Sequence, residues 1–414
     1  MPDVIVIGAG LAGLRAAVDL IAAGADVVVL EARDRVGGRV WSHHFADGQV
    51  AERGAEFIDG NHTEVLALAA RFGLELTERD STLDVEAALV DAAGRGVPYH
   101  LHASLIDDWQ AWEAALEVLQ PNEDFEYRTL ATTMESLSLS ALSRLVIGRD
   151  IRTEFMLPPE HVSQRFAAEI ASRQIAGQRE RHRIVGGNDR LATVLANELG
   201  DRVRLSTPVR SLDADTGAVA LVTGEVLQAP AVVAAVPLPV LSRLWPQIPH
   251  GLSGVGYGIG GKISIQFERR IWRDYGRNGT VLSDRAWGHL WETTDDQVGD
   301  RGILTSLLSS HDGAAFAALP ESPDLLVRDI ERLFPGAKGL AGERVHTDWT
   351  NDPYSLGTYT CFGPGQWRLA QSPLHSVHGR LWLAGEHADG FSGFMEGALR
   401  SGARVAAGVL THSR

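Results

Sequence analysis

The strongest constraint on this chain lies in its first forty residues, MPDVIVIGAGLAGLRAAVDLIAAGADVVVLEARDRVGGRV, which read as strand, glycine turn, helix, strand, acid. Val4 to Ile7 is a short apolar run of the buried-strand type, followed at once by Gly8-Ala9-Gly10-Leu11-Ala12-Gly13. Leu11, Leu14, Ala17, Val18 and Ile21 then recur at helical spacing, Gly24 stops the helix, and Val27 to Leu30 supplies a second buried strand closed by Glu31. Each residue type has a physical task. Gly8 permits the tight turn, Gly10 lets the backbone approach a pyrophosphate, and Gly13 lets the helix sit close on the sheet. The helix N-terminus offers free N–H groups to the anion, and Glu31 can accept from both ribose hydroxyls. A glycine triplet alone is an ordinary turn; in this complete context it reads as a dinucleotide site.

The next stretch, Ala32-Arg33-Asp34-Arg35-Val36-Gly37-Gly38-Arg39, carries a second glycine pair flanked by arginines. It is either a solvated loop or a second backbone approach to phosphate, with Arg39 to neutralise it. Here the sequence resembles the flavin monoamine oxidase family of FAD-dependent enzymes, whose members carry E-x-R-x-R-x-G-G-R directly after the ribose acid. The resemblance implies FAD, with Arg33, Gly38 and Arg39 among its contacts.

Composition narrows the rest. A chain of 414 residues is too long for one compact core, so two domains are expected. A formal charge of -15 leaves no basic stripe to replace phosphate counterions, which argues against nucleic acid. The single cysteine, Cys361, excludes an intrachain disulfide and makes a reducing cytoplasm the simplest location. No apolar window is long enough to span a bilayer, and the C-terminus lacks the membrane helix of the family's mitochondrial members, so no membrane partner is expected. The histidines show no metal-ligand spacing, and no metal is expected. Lysine occurs only at Lys262 and Lys338, so 36 of the 38 basic residues are arginine. That scarcity singles out Lys262; Lys338, in a Pro-Gly turn, is read as incidental.

Further along, the Gly54-Ala55 step reads as backbone against a flat ligand or as a surface turn, and the family has a similar step beside the flavin ring. Thr63 to Phe72 reads as a helix with Gly73 as its C-cap. Residues 76–183 look like a helical insert, with helical patterns over Leu101 to Leu119 and Met134 to Ile147 and no catalytic signature. Ile184-Val185-Gly186-Gly187 resumes the dinucleotide pattern, with a helix over Leu191 to Leu199 and a buried strand from Ala231 stopped by Pro237. The resemblance implies that backbone near Val209 meets the adenine end.

Lys262 heads an alternating strand, with Ile263, Ile265 and Phe267 on one face and Lys262, Ser264 and Gln266 on the other. It is either a solvent-facing lysine or, as the resemblance implies, the lysine that holds a water near flavin N5. Trp349 to Tyr359 resembles the family's W-x-x-D-P-x-x-x-G-x-Y stretch. Thr358 stands where covalent members carry the flavin-bonding cysteine, which implies non-covalent FAD. Gly385-Glu386 is expected at the ribityl-phosphate part. Met395 lies in the stretch leading into a last helix over Ser401 to Leu410, whose N-terminus is expected at the pyrimidine edge. Phe394 falls where the family places its second cage aromatic, commonly tyrosine, so Tyr359 and Phe394 would form the substrate cage.

The expected fold is α/β: a Rossmann-like, GR2-type FAD-binding domain (1–75, 184–243 and 370–414) with an interleaved α+β substrate domain (76–183 and 244–369). The expected reaction is oxidation of a small-molecule amine to an imine, hydrolysed to an aldehyde or ketone, with O2 reduced to H2O2; a homodimer is open. The catalytic residues expected are Lys262, Tyr359 and Phe394. The rivals are an L-amino-acid oxidase, which needs an arginine for the substrate carboxylate, a desaturase of the same fold, and a non-catalytic flavin-binding partner protein.

Overall fold

The computed structural model describes residues 1–77, 88–90, 96–98, 103–118, 125–173 and 182–412. Its first layer is a five-stranded parallel sheet. Val4–Ile7 lies at the centre, between Val27–Leu30 and Ala231–Ala234, with Leu381–Leu383 and Val203–Arg204 at the two edges. Apolar side chains on both faces are what a parallel sheet covered on both sides requires. Ile5 and Ile7 point into one core, Val4 and Val6 into another. The helix Leu11–Ala22 packs along the last helix, Met395–His412. They approach so closely that a Cβ on Gly402 would stand 2.3 Å from the Ala12 carbonyl oxygen.

The second layer is a seven-stranded, mostly antiparallel sheet. Its long members are Gly260–Phe267, Gly302–Ser309 and Ala341–Asp348, with Gly260–Phe267 between the other two. The alternation read in the sequence is present, yet every residue of Gly260–Phe267 is buried. Ile263, Ile265 and Phe267 share a core with Trp272, Leu326 and Ile330. The opposite row faces an internal polar layer: the Ser264 hydroxyl meets Thr305 Oγ1 at 2.9 Å, and Gln266 Nε2 donates to Asp47 and Gln49. Lys262 is therefore no solvent-facing strand lysine.

Three readings of local structure need correction. The insert is not wholly helical, because residues Ala88–Val90 and Gly96–Pro98 add two strands to the edge of the seven-stranded sheet. The helical pattern over Met134 to Ile147 is two helices, Leu130–Ser136 and Ala141–Phe155. Ser140 separates them by capping the second: its hydroxyl accepts from the Ser143 N–H at 3.1 Å. The last helix begins at Met395, earlier than the glycines suggest. Gly397 sits inside it because a Cβ there would lie 2.2 Å from the Phe391 carbonyl oxygen, so the glycine marks close packing and not a break.

Candidate active site

Between the two layers lies a cavity of about 1540 Å³, larger than the few hundred to a thousand Å³ usual for a drug-sized ligand. All the residues singled out as site candidates border it except Gly13. Gly13 lies behind the turn, where a Cβ would be 2.0 Å from the Gly8 carbonyl oxygen. Gly10 is different: a Cβ there would meet no protein atom within 4 Å. Its missing side chain leaves room on the cavity side, at the N-terminus of Leu11–Ala22, as an elongated dinucleotide needs.

The two oxygens of Glu31 accept from the Ala9 N–H and the Arg33 N–H, each at 2.8 Å. This locks the acid against the glycine turn and leaves each oxygen a further lone pair for a ribose hydroxyl. Arg33 donates to Asp352 at 2.6 Å and to the Ser355 hydroxyl at 3.0 Å, tying the first loop to the aspartate-proline stretch. Arg39 donates through Nη1 to the Thr358 carbonyl at 2.7 Å and to Glu386 at 2.9 Å. Glu386 also accepts from Thr360 and from the Gly393 N–H. Burial alone would raise this carboxyl, but Arg39, His387 and the Gly393 N–H outweigh it and hold it below the usual carboxylate range. Its charge thus organises the Thr358–Thr360 and Gly393 backbones around Arg39.

Gly54 is glycine chiefly because of protein: a Cβ would stand 1.8 Å from the Arg39 carbonyl oxygen. Its own carbonyl accepts from Lys262 Nζ at 2.9 Å. Trp349 anchors the same corner by donating its indole N–H to the Arg53 carbonyl at 2.9 Å. Beyond, Tyr359 and Phe394 border the same cavity, and the Tyr359 ring lies 3.3 Å from where a Gly393 Cβ would stand. The Tyr359 hydroxyl donates to the Glu154 carbonyl at 2.8 Å. Burial, together with Glu154 and Cys361, holds this phenol well above its ordinary pKa, so it stays un-ionised. The Thr358 hydroxyl is buried and has no hydrogen-bond partner among the described residues.

Sequence reasoning missed two parts of the site. One is the buried polar group around Lys262, in which Glu56 and Arg183 are the main members. The other is the cavity's contribution from the insert: Trp109 and Glu113 from Ala103–Glu117, and Thr153 to Phe155 from Ala141–Phe155. Among the described residues no group of His, Cys, Asp and Glu could hold a metal ion, and no helix is long and apolar enough to cross a membrane.

A glycine turn at a helix N-terminus, an acid at the end of the second strand and a cavity that continues to a pair of aromatics define a dinucleotide-dependent oxidoreductase with a second ligand compartment. The chain belongs to the family of flavin-containing amine oxidoreductases, whose model matches residues 11–410. It is similar to the nicotine dehydrogenase of Pseudomonas putida, 27% identical over 433 residues that cover 97% of this chain and 87% of that protein. It is 28% identical to the flavin-containing amine oxidase B of Cavia porcellus, over 99% of this chain and 86% of that one. The cyclohexylamine oxidase from Brevibacterium oxydans has the same fold, with a TM-score of 0.84 at 22% identity over 100% of this chain and 99% of that structure. The protein is a flavin-dependent amine oxidoreductase with FAD as its cofactor, and the fold is α/β with a Rossmann-like sheet.

Proposed function

We propose that this chain oxidises an uncharged amine to an imine, which water hydrolyses to an aldehyde or ketone, with O2 accepting the electrons and leaving as H2O2. The observation that carries the reading is the single cavity shared by the glycine turns, Lys262, Tyr359 and Phe394. FAD, when bound, supplies the acceptor for the hydride equivalent lost from the carbon next to nitrogen. The protein does the rest. Gly8, Gly10 and the N-terminus of Leu11–Ala22 would hold the pyrophosphate, Glu31 the ribose, Val209 the adenine end, and Met395 with the start of the last helix the ring system. Residues 1–75, 184–243 and 370–414 would form this cofactor-binding part; residues 76–183 and 244–369 would form the substrate part.

Tyr359 and Phe394 would flank the substrate. The Tyr359 ring is held by its bond to the Glu154 carbonyl, so the cage has one fixed wall. Exclusion of water from an apolar pocket disfavours the ammonium form of an entering amine by desolvation, which helps to present the lone pair that oxidation requires. Thr358 at the cysteine position supports non-covalent attachment. All three Lys262 N–H groups already have protein acceptors, so a water held by this lysine would take the place of its longest contact, 3.3 Å to the Glu52 carbonyl.

The test is anaerobic mixing of the FAD-loaded protein with a panel of amines and amino acids while the flavin absorption band is followed. Bleaching by amines is expected. A band bleached by dithionite and by no amine would refute the reading. A second reading, oxidation of an L-amino acid, is favoured by Arg277, a half-buried guanidinium on the same cavity. Bleaching by amino acids alone, abolished by Arg277→Ala, would decide for it.

A further inference from the structure

We propose that Glu56 is a positioning residue that anchors Lys262 and cancels its charge toward the cavity, so that bound flavin meets a neutral ion pair in place of a free cation. This rests on the reading above that the flavin lies against Lys262. The Lys262 ammonium donates to Glu56 Oε2 at 2.7 Å, to the Gly54 carbonyl at 2.9 Å and to the Glu52 carbonyl at 3.3 Å, which uses all three of its N–H groups. The other Glu56 oxygen accepts from Arg183 at 2.7 Å, from the Trp291 indole at 3.0 Å and from the Thr293 hydroxyl at 2.8 Å. The three charged side chains expose 8% (Lys262), 2% (Glu56) and 5% (Arg183) of their surface, so water does little to screen them.

Arg183 is itself balanced by Asp296 at 2.9 Å and by Asp295 at 3.5 Å. Two cations therefore face three carboxylates, and the group carries no net positive charge. This arrangement needs a carboxylate at position 56 in particular. A neutral residue there would leave Arg183 its two aspartates but Lys262 a buried cation with backbone carbonyls alone, which is strongly unfavourable. A free ammonium beside the isoalloxazine would favour the anionic reduced flavin by direct charge interaction; a tight pair offers only a dipole.

The measurement is the reduction potential of bound FAD, by equilibration with a reference dye from pH 6 to 9, in the FAD-loaded wild type and four variants. Lys262→Met leaves the carboxylates in excess and should move the two-electron equilibrium at least tenfold toward oxidised flavin, about 30 mV. Glu56→Gln should move it at least tenfold the other way at pH 6. The other charged groups around the pair are Arg183 with its partners Asp295 and Asp296, and Glu52. The Glu52 carboxyl, pushed up to about 7 by burial, lies in this window in the wild type and feels Glu56 and Lys262 in opposite directions, so the potentials are compared at pH 6 as well as across the profile. Glu56→Asp should keep the wild-type profile.

A potential unchanged in Glu56→Gln but shifted in Lys262→Met would overturn the proposal and leave the reading of Lys262 standing. No shift in either variant would place the flavin away from the lysine and overturn both. If Glu56→Gln does not fold, the double variant Lys262→Met/Glu56→Gln decides. Its equilibrium should lie within threefold of the wild type; one matching Lys262→Met would overturn the proposal.

Discussion

Gly10 and Gly13 belong to one motif and are glycine for opposite reasons. A Cβ at Gly10 enters open cavity, whereas one at Gly13 meets the Gly8 carbonyl oxygen at 2.0 Å. Gly10→Val should therefore give a folded protein that purifies with little or no FAD, read from its absorbance and circular dichroism. Gly13→Val should fail to give soluble folded protein. A second residue-scale prediction concerns Glu52. Burial raises its carboxyl from 4.5 to about 7, against the opposing effect of the Asn188 N–H and the Ser42 hydroxyl. The folded state then holds a proton that the unfolded chain has released, so this group's contribution is complete below about pH 4.5 and is lost as pH rises through 7. A shift of that size is worth roughly 3 kcal/mol. Urea unfolding of wild type and Glu52→Gln at pH 5 and pH 8 should show the wild type losing stability relative to the variant at the higher pH. The sequence made Lys262 conspicuous because lysine is so scarce. Nothing in it linked Lys262 to Glu56 and Arg183, since their meeting depends on how three distant segments cross. The run Asp295-Asp296 beside apolar strands was the one available hint of a buried cation.

At the scale of elements, the informative contact joins the last helix to Thr63–Arg71. Glu396 is wholly buried, and its carboxylate accepts from the Glu64 and Val65 N–H groups and from the Thr63 hydroxyl. A side chain from one helix thus supplies the N-terminal cap that the other lacks, since His62 makes no side-chain cap bond. Glu396→Ala should cost about 1–2 kcal/mol, by analogy with the loss of a cap. The urea midpoint should fall with little change in slope. Elements with strong periodicity, such as Val4–Ile7 and Leu11–Ala22, were legible almost to their ends, because period and flanking glycines agree there. The last helix was not, because a glycine that permits close packing looks the same in sequence as one that ends a helix. The strands Ala88–Val90 and Gly96–Pro98 were hidden for another reason: too short to show a pattern, they exist as strands through their place at a sheet edge.

For the molecule as a whole, a cofactor held in the cavity between the layers would couple them. Mild acid precipitation should release FAD into the supernatant, as Thr358 at the cysteine position predicts, and yellow protein in the pellet would contradict this. Removing FAD should lower the unfolding temperature, and adding it back at a hundred times its Kd should restore about 2.7 kcal/mol. The cofactor class was legible from the glycine turns near the N-terminus and the stretches around Trp349 and Glu386 taken together. The strand order was not, because it depends on which distant segments become neighbours. The parallel sheet brings that point into the biology of synthesis. Val4–Ile7 leaves the ribosome first, yet its partner Ala231–Ala234 and the edge strand Leu381–Leu383 come far later. Through most of translation the nascent protein must therefore carry a wholly apolar ribbon whose one available partner is Val27–Leu30 and whose other edge stays open, and a chain released before Leu381 has a sheet it can never complete. Such a protein should depend on chaperones during elongation and be unusually intolerant of premature termination.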